Sequence, residues 1–208
     1  MPTFDIENTY KETVVGIDEA GRGPWAGPVV AGAVVILDKN ISPFLLNNLD
    51  DSKKLSPKKR ELLYQELFSE QEKGHICIGI GEASCQEIDD KNILQATFLA
   101  MKRAAEKLKI PPQFAIIDGN RTPKDFVCPT RAIIKGDSKS FSISAASIVA
   151  KVYRDKKMQK LAEKYPYYGF EKNAGYGTAT HIAALKKYGI TPEHRKSYKP
   201  IKEIISKA

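Results

Sequence analysis

Residues Pro28 to Leu37 (PVVAGAVVIL) run for ten positions without one polar side chain. Crossing a bilayer takes about 20 consecutive apolar residues, so this stretch is half of what a spanning helix needs. Its valines and isoleucine favour an extended backbone, which shows side chains alternately to either side. A strand apolar on both sides is stable inside a sheet whose two faces are covered. The rest of the chain must therefore supply more strands, and amphipathic helices to cover them.

Thr13 to Ile17 (TVVGI) is a β-branched strand that stops at Asp18. His75 to Ala83 alternates as a strand does, Phe114 to Ile117 (FAII) stops at Asp118, and Arg131 to Lys135 is a short last strand leading into Gly136-Asp137. Ser56-Pro57 opens a helix reaching about Glu70, with Leu62, Leu63, Leu67 and Phe68 on one face. Apolar residues recur with helical period over Asn92 to Lys109, and further helices are expected over Ser144 to Lys164 and near Thr180 to Tyr188. What remains is a loop rich in Tyr and Gly and a basic tail. Early strands with little helix between them, then alternating helix and strand, indicate an α/β fold with a mixed central sheet flanked by helices. Neither a linker composition nor an internal repeat is visible, so residues 1–208 are read as one domain with a helical C-terminal elaboration, roughly 165–208.

Apolar residues make up 42% of the chain and charged residues 28%, enough to build a core and unlike a disordered chain. The three cysteines, Cys77, Cys85 and Cys128, include no C-x-x-C pair. Neither a disulfide framework nor a structural zinc site is expected, and a reducing compartment fits. Met1 to Glu12 lacks the basic-then-apolar order of a signal peptide, so a cytoplasmic, membrane-free protein is expected.

The net charge of +8 is unevenly spread. Residues 1–120 hold 14 Lys/Arg and 18 Asp/Glu, a balance of −4, whereas residues 121–208 hold 19 and 7, a balance of +12. An acidic half joined to a basic half suits a protein that holds cations beside a polyanion.

Asp18-Glu19 and Asp118 all fall where strands end, the place where side chains of a rigid sheet emerge into a crevice. Acids gathered there repel unless a cation lies between them. An all-carboxylate set without a His/Cys ligand group points to Mg²⁺ or Mn²⁺ rather than zinc. Either aspartate alone reads equally well as a turn or cap residue, Asp-Gly being a common turn pair. The glycine-rich loop after Glu19 favours a site: Gly21-Arg22-Gly23 lets backbone approach a ligand and exposes an arginine suited to phosphate.

Val15 to Pro28 (VGIDEAGRGPWAGP) resembles the signature of type 2 ribonucleases H, specifically the bacterial ribonuclease HII family. The resemblance continues through Asp51 to Ser56 (DSKKLS), Ile117-Asp118-Gly119, Lys135 to Ser140 (KGDSKS), Ser144 to Asp155, Gly175 to Thr178 and His194 to Tyr198 (HRKSY), in that order along nearly the whole chain. It implies an RNase H-like fold and a metal-dependent endonuclease. Such an enzyme cuts the RNA strand of RNA–DNA hybrids and the 5′ side of ribonucleotides embedded in duplex DNA, leaving 5′-phosphate and 3′-hydroxyl ends. By position it implies Asp18, Glu19, Asp118 and Asp137 as catalytic metal ligands for Mg²⁺ or Mn²⁺, Gly21, Arg22 and Gly23 as the sensor of the ribose 2′-hydroxyl, and Tyr176 as the residue stacking on the sugar at the RNA-to-DNA junction. Arg22 and the lack of an extra N-terminal domain favour HII over HIII. A monomer is expected, with residues 165–208 contributing to substrate binding.

Without the resemblance, Tyr176 would read as packed together with Tyr165, Tyr167 and Tyr168. Asp155 projects near Ile148 and Val152 and reads as bonded to a neighbouring helix rather than as a fourth ligand. His75, His181 and His194 stand apart in the sequence and read as isolated structural residues. Lys53-Lys54, Lys58-Lys59-Arg60 and the tail are candidate phosphate contacts, though each lysine alone reads as solvated surface. Two other functions compete: another metal-dependent nuclease of the same fold, which would need no 2′-hydroxyl sensor, and a non-catalytic basic RNA-binding protein, for which carboxylates at strand ends would be a liability.

Overall fold

The computed structural model describes residues 1–52 and 54–206; Lys53 lies outside the described residues. Five strands form one sheet: β1 (Val14–Ala20), β2 (Val29–Ile36), β3 (Ile76–Ala83), β4 (Phe114–Asp118) and β5 (Thr130–Ile133), in the order β3-β2-β1-β4-β5. β1 to β3 form an antiparallel meander, while β4 and β5 run parallel to β1. The mixed sheet expected from the sequence is thus present, and the apolar β2 lies inside it between β3 and β1.

The alternation of β2 explains its all-apolar sequence. Val29, Ala31, Ala33 and Val35 face one layer, where Ala96, Ala100, Met101 and Ala104 of helix α4 (Ile93–Glu106) cover them. Val34 faces the other, packed with Phe141, Ala145, Ala146 and Val149 of the long helix α5 (Phe141–Lys164). The helices are α1 (Pro43–Asn48), α2 (Pro57–Glu72), α3 (Cys85–Lys91), α4 (Ile93–Glu106), α5 (Phe141–Lys164), α6 (Phe170–Asn173), α7 (Ala179–Tyr188) and α8 (Lys199–Ile205). None among the described residues is long and apolar enough to cross a membrane.

Several boundaries differ from the sequence expectation. Helix α5 begins three residues early because Ser140 caps it, its hydroxyl accepting from the Ile143 amide at 3.2 Å. The helix expected over Asn92 to Lys109 is preceded by α3, which Ser84 and Glu87 start with a capping box; Asn92, at φ 71°, separates the two. The last strand ends at Ile133, and Lys135, at φ 56°, turns the chain into a 3₁₀ turn over Gly136–Ser138. The basic tail contains α8, held by the fully buried Ile201.

Helix α5 sits unusually close to the sheet. A Cβ on Gly16 would overlap the Ser142 backbone, and one on Gly32 the Ala146 carbonyl. The missing side chains let α5 lie directly on β1 and β2, bringing its serine-rich first turns to the end of β1. The C-terminal elements pack through a smaller cluster: Met158, Tyr168, Phe170, Ala184, Leu185 and Ile201 enclose Ala26, with Trp25 against them. They are docked directly onto the glycine loop after β1.

Candidate active site

In the β1–β4 pair Ile17 is opposite Ile117, so Asp18 and Asp118 follow on the same side, just past the last paired residues of the two parallel strands, while β1 runs on to Ala20 along β2. Both lie on the α5 face, as Val14 and Ile116 do. Asp18 is buried and its carboxyl is held well above the usual carboxylate range, mainly by loss of solvent and then by the charges of Glu19 and Asp118. The Glu19 amide, donating to Asp18 Oδ1 at 2.7 Å, and the Ser147 hydroxyl oppose that rise. Ser147 in turn lies 2.8 Å from the buried Ser52 hydroxyl. With Ser147 donating to Asp18, Ser52 must donate to Ser147, so two buried hydroxyls are aligned behind one carboxylate.

Asp118 Oδ1 accepts from the Gly136 amide at 2.7 Å, which docks the Lys135-Gly136-Asp137 turn against the end of β4. Asp137 is buried in that turn. Glu19, on the opposite side of β1 from Asp18, pairs with Arg22 at 3.2 Å. The Arg22 side chain is 51% exposed, as its place between two glycines leads one to expect. As the side chains stand, no three Asp, Glu, His or Cys among the described residues are drawn into a metal-holding group. Asp18 faces Ser147, Glu19 faces Arg22 and Asp118 faces Gly136. The donor set itself suits a hard divalent cation: all its ligand atoms are oxygens, and the buried Asp18 is destabilised by two neighbouring negative charges that a cation would offset.

A cleft of about 490 Å³ opens beside Glu19, lined by the Gly21–Gly23 loop, Ser52, Arg60, Ser147, Lys151, Arg154 and Tyr176. Contrary to the packing expected of clustered tyrosines, the Tyr176 ring is 52% exposed and lies against Gly23, whereas Tyr168 is buried. Tyr167 is exposed as well and stacks on Tyr188, with ring centroids 4.4 Å apart.

Two fully buried arginines hold the loop that lines this cleft, and Arg154 also lines the cleft itself. Arg195 donates to the carbonyls of Gly21, Arg22 and Gly27, and Arg154 to those of Ala26, Pro28 and Ala174. Neither has a carboxylate within ion-pair distance among the described residues. Burial, and then the charge of Arg195, lower the Arg154 pKa to about 10. At Gly21, φ is 95° and a Cβ would overlap the Arg154 guanidinium, so both the backbone angle and the space require glycine. With their carbonyls turned down onto guanidinium groups, the loop residues keep a fixed shape and sit over two buried positive charges.

Arg154 and Arg195 both fall in segments that carry the family resemblance, but nothing in the local sequence marks either as buried. Ser147 was visible only as one of several small residues on α5. Arg60, counted with the lysines as a candidate phosphate contact, instead clamps the Ser52 and Leu55 carbonyls at 2.8 and 2.6 Å. Asp155 bonds Lys151 at 2.6 Å on its own helix, not a neighbouring one. The expectation that the histidines are isolated is corrected: His181 Nε2 and His194 Nε2 are 2.9 Å apart in the interior, because α7 folds back on the turn that follows it.

Acidic residues at the ends of neighbouring parallel strands in a mixed sheet of this order, under a glycine loop floored by buried cations, define a nuclease of the RNase H-like class. The family model described as ribonuclease HII matches residues 15–201. The chain belongs to the ribonuclease HII family. It is 52% identical over 208 residues to the ribonuclease HII of Rhodospirillum rubrum, covering 100% of this chain and 94% of that protein. Among solved structures it is similar to the ribonuclease H2 of Pyrococcus horikoshii OT3, with a TM-score of 0.75 and 31% identity over 94% of this chain and 98% of that one. It is also similar to the RNase HII solved in complex with PCNA from Archaeoglobus fulgidus, with a TM-score of 0.70 and 27% identity over 90% and 95% of the two chains. Membership makes the protein a hydrolase, a metal-dependent endonuclease acting on the RNA strand of RNA–DNA hybrids.

Proposed function

We propose that this nuclease also acts on single ribonucleotides embedded in duplex DNA, cutting on their 5′ side. The supporting observation is one cleft lined together by Glu19, the Gly21–Gly23 loop and Tyr176. It gives a loop able to test one sugar for a 2′-hydroxyl and an exposed aromatic ring next to it able to test the following sugar for lacking one. A site built to hydrogen-bond a hydroxyl discriminates strongly against the analogue without it.

In this reading Asp18, Glu19, Asp118 and Asp137 hold the divalent cations, Mg²⁺ or Mn²⁺. When bound, such a pair supplies an activated water and charge stabilisation for in-line attack at phosphorus. The water oxygen joins phosphorus and the P–O3′ bond breaks, leaving a 3′-hydroxyl upstream and a 5′-phosphate on the ribonucleotide. Asp18, at the rigid end of β1, sets the position of the acidic group, and Ser52 and Ser147 fix its carboxylate orientation. The Gly21–Gly23 loop orients the scissile nucleotide, and the buried Arg154 and Arg195 hold that loop while favouring a polyanion above it. We assign residues 1–208 to one catalytic domain, with 165–208 as its substrate-binding part, acting as a cytoplasmic monomer.

The test is a DNA duplex carrying one ribonucleotide, incubated with Mg²⁺ or Mn²⁺. A single cut 5′ to the ribonucleotide is the expected result; cleavage of hybrids alone would overturn the proposal.

A further inference from the structure

The buried histidines have a proton order that their surroundings dictate. The Thr191 amide lies 2.9 Å from His194 Nδ1, and an amide N–H can only donate, so Nδ1 is the accepting nitrogen. In a neutral ring the hydrogen is then on His194 Nε2, from which it is donated across 2.9 Å to His181 Nε2. That leaves the His181 hydrogen on Nδ1, and Nδ1 lies 2.9 Å from the Tyr176 carbonyl oxygen, which can only accept. Both ends of the chain thus demand the same order: Thr191 N–H to His194, His194 to His181, His181 to Tyr176. The surroundings are consistent with neutral rings. Trp25, Tyr168 and Phe170 lie around His181 at centroid distances of 5.9, 6.1 and 5.3 Å. Burial lowers the pKa of His181, and burial and then the charge of His181 lower that of His194 to about 4.

What this chain holds is the backbone of Tyr176. Tyr176 is half exposed, its ring lies against Gly23, and Gly175 and Gly177 flank it. Its direction is set by main-chain bonds: its amide donates to Asn173 O at 2.9 Å, and its carbonyl accepts from the Thr178 amide at 2.8 Å as well as from His181. Asn173 is itself buried, and the His181 bond ties the tyrosine to the buried aromatic cluster.

We infer that His181 and His194 are positioning residues which, through this ordered hydrogen-bond chain, aim Tyr176 at the sugar following the ribonucleotide and so set the preference for RNA-to-DNA junctions over continuous hybrid. The inference rests on the reading of Tyr176 given above. A packing role and a positioning role make opposite predictions for two substitutions. Phenylalanine at 181 fills the aromatic cluster but donates nothing, whereas asparagine leaves a gap but places its amide nitrogen where Nδ1 stood.

The readout is kcat/KM on a duplex with one ribonucleotide divided by kcat/KM on an RNA–DNA hybrid, for Tyr176→Ala, His181→Phe and His181→Asn. Hybrid cleavage serves as the control for folding. The ratio is expected to fall about 10-fold in His181→Phe, the size of one hydrogen bond, and to recover at least half of that loss in His181→Asn. An unchanged ratio in Tyr176→Ala would sink the reading of Tyr176 itself. A reduced ratio in Tyr176→Ala, with His181→Phe equal to wild type or better than His181→Asn, would overturn the relay alone. Imidazole ¹⁵N–¹H correlation spectra of the wild-type protein give a test independent of any variant: hydrogen on His181 Nδ1 and His194 Nε2 supports the order, and hydrogen on His194 Nδ1 refutes it.

Discussion

Arg195 holds Gly27 from the far end of the chain: its Nε and Nη2 donate to the single Gly27 carbonyl at 3.0 and 2.8 Å. The same guanidinium reaches the Gly21 and Arg22 carbonyls and the Tyr198 hydroxyl, and that hydroxyl also donates to Arg22 O. A motif near residue 195 thereby determines the shape of a loop near residue 22. Lysine keeps the charge but cannot fork to several carbonyls. Arg195→Lys is therefore expected to lose about 2–4 kcal/mol of stability in denaturant titration, from unmade charged hydrogen bonds. Its kcat/KM should fall further than the stability loss alone explains, and activity at wild-type level would contradict the loop-holding role.

Asp18→Asn separates chemistry from folding. The carboxylate is buried beside two like charges, so neutralising it removes repulsion. The melting temperature is expected to stay level or rise, while cleavage falls by more than about 10²-fold, a loss that even an outer-shell partner of a metal site can cause. Thermal melts and turnover on one preparation check both halves of the expectation.

Ser147→Ala removes the hydroxyl that opposes the raised pKa of Asp18 and leaves Ser52 Oγ without that partner. A loss of about 10- to 100-fold in cleavage is expected, as for other residues that orient a ligand, with the fold intact. Ser52→Ala, one bond further back, should lose less. The reverse ranking in a kinetic assay would show that the two hydroxyls are not aligned behind Asp18.

Acid should unfasten the C-terminal elements before it titrates most carboxylates. His194 has a folded pKa of about 4 against an ordinary 6.5. Between those values the unfolded chain holds more protons than the folded one, so stability rises with pH across the window and is lost as pH falls from 6.5 toward 4. The melting temperature at pH 5 is expected below that at pH 7.5, and His194→Asn should flatten the difference between the two.

On the proposal that the basic half holds the phosphates, removing divalent cations with EDTA should abolish cleavage and leave hybrid binding in place, with the affinity falling steeply as salt rises. Filter binding and cleavage measured in parallel decide this. Loss of binding equal to loss of cleavage would mean that the cations, rather than the basic surface, hold the duplex.

Much of the sheet was legible because its strands announce themselves locally. β4 is a β-branched run ended by Asp118, β1 runs on past the expected stop at Asp18 to Ala20, and β2 carries its two-sided burial in its composition. Helix α3 was missed although Ser84 and Glu87 spell its capping box: seven residues are too few to show an apolar stripe. Helix α8 hid in a basic tail because a single buried residue, Ile201, carries its docking. The site divides in the same way. Asp18 and Asp118 could be placed at strand ends from the chain alone, whereas Asp137 and Tyr176 came only with the family resemblance. The buried arginines and the paired histidines were out of reach. Their neighbours are backbone carbonyls and rings from distant segments, and no local period records a contact between residues 21 and 195 or between 181 and 194.

The arginine clamp also bears on how the protein is made. Synthesis runs from Gly21 through 174 further positions before it reaches Arg195. Until residue 195 has emerged, the carbonyls of Gly21, Arg22 and Gly27 lack the guanidinium that fixes them. All five strands of the sheet are therefore made before the residue that fixes the loop beside them.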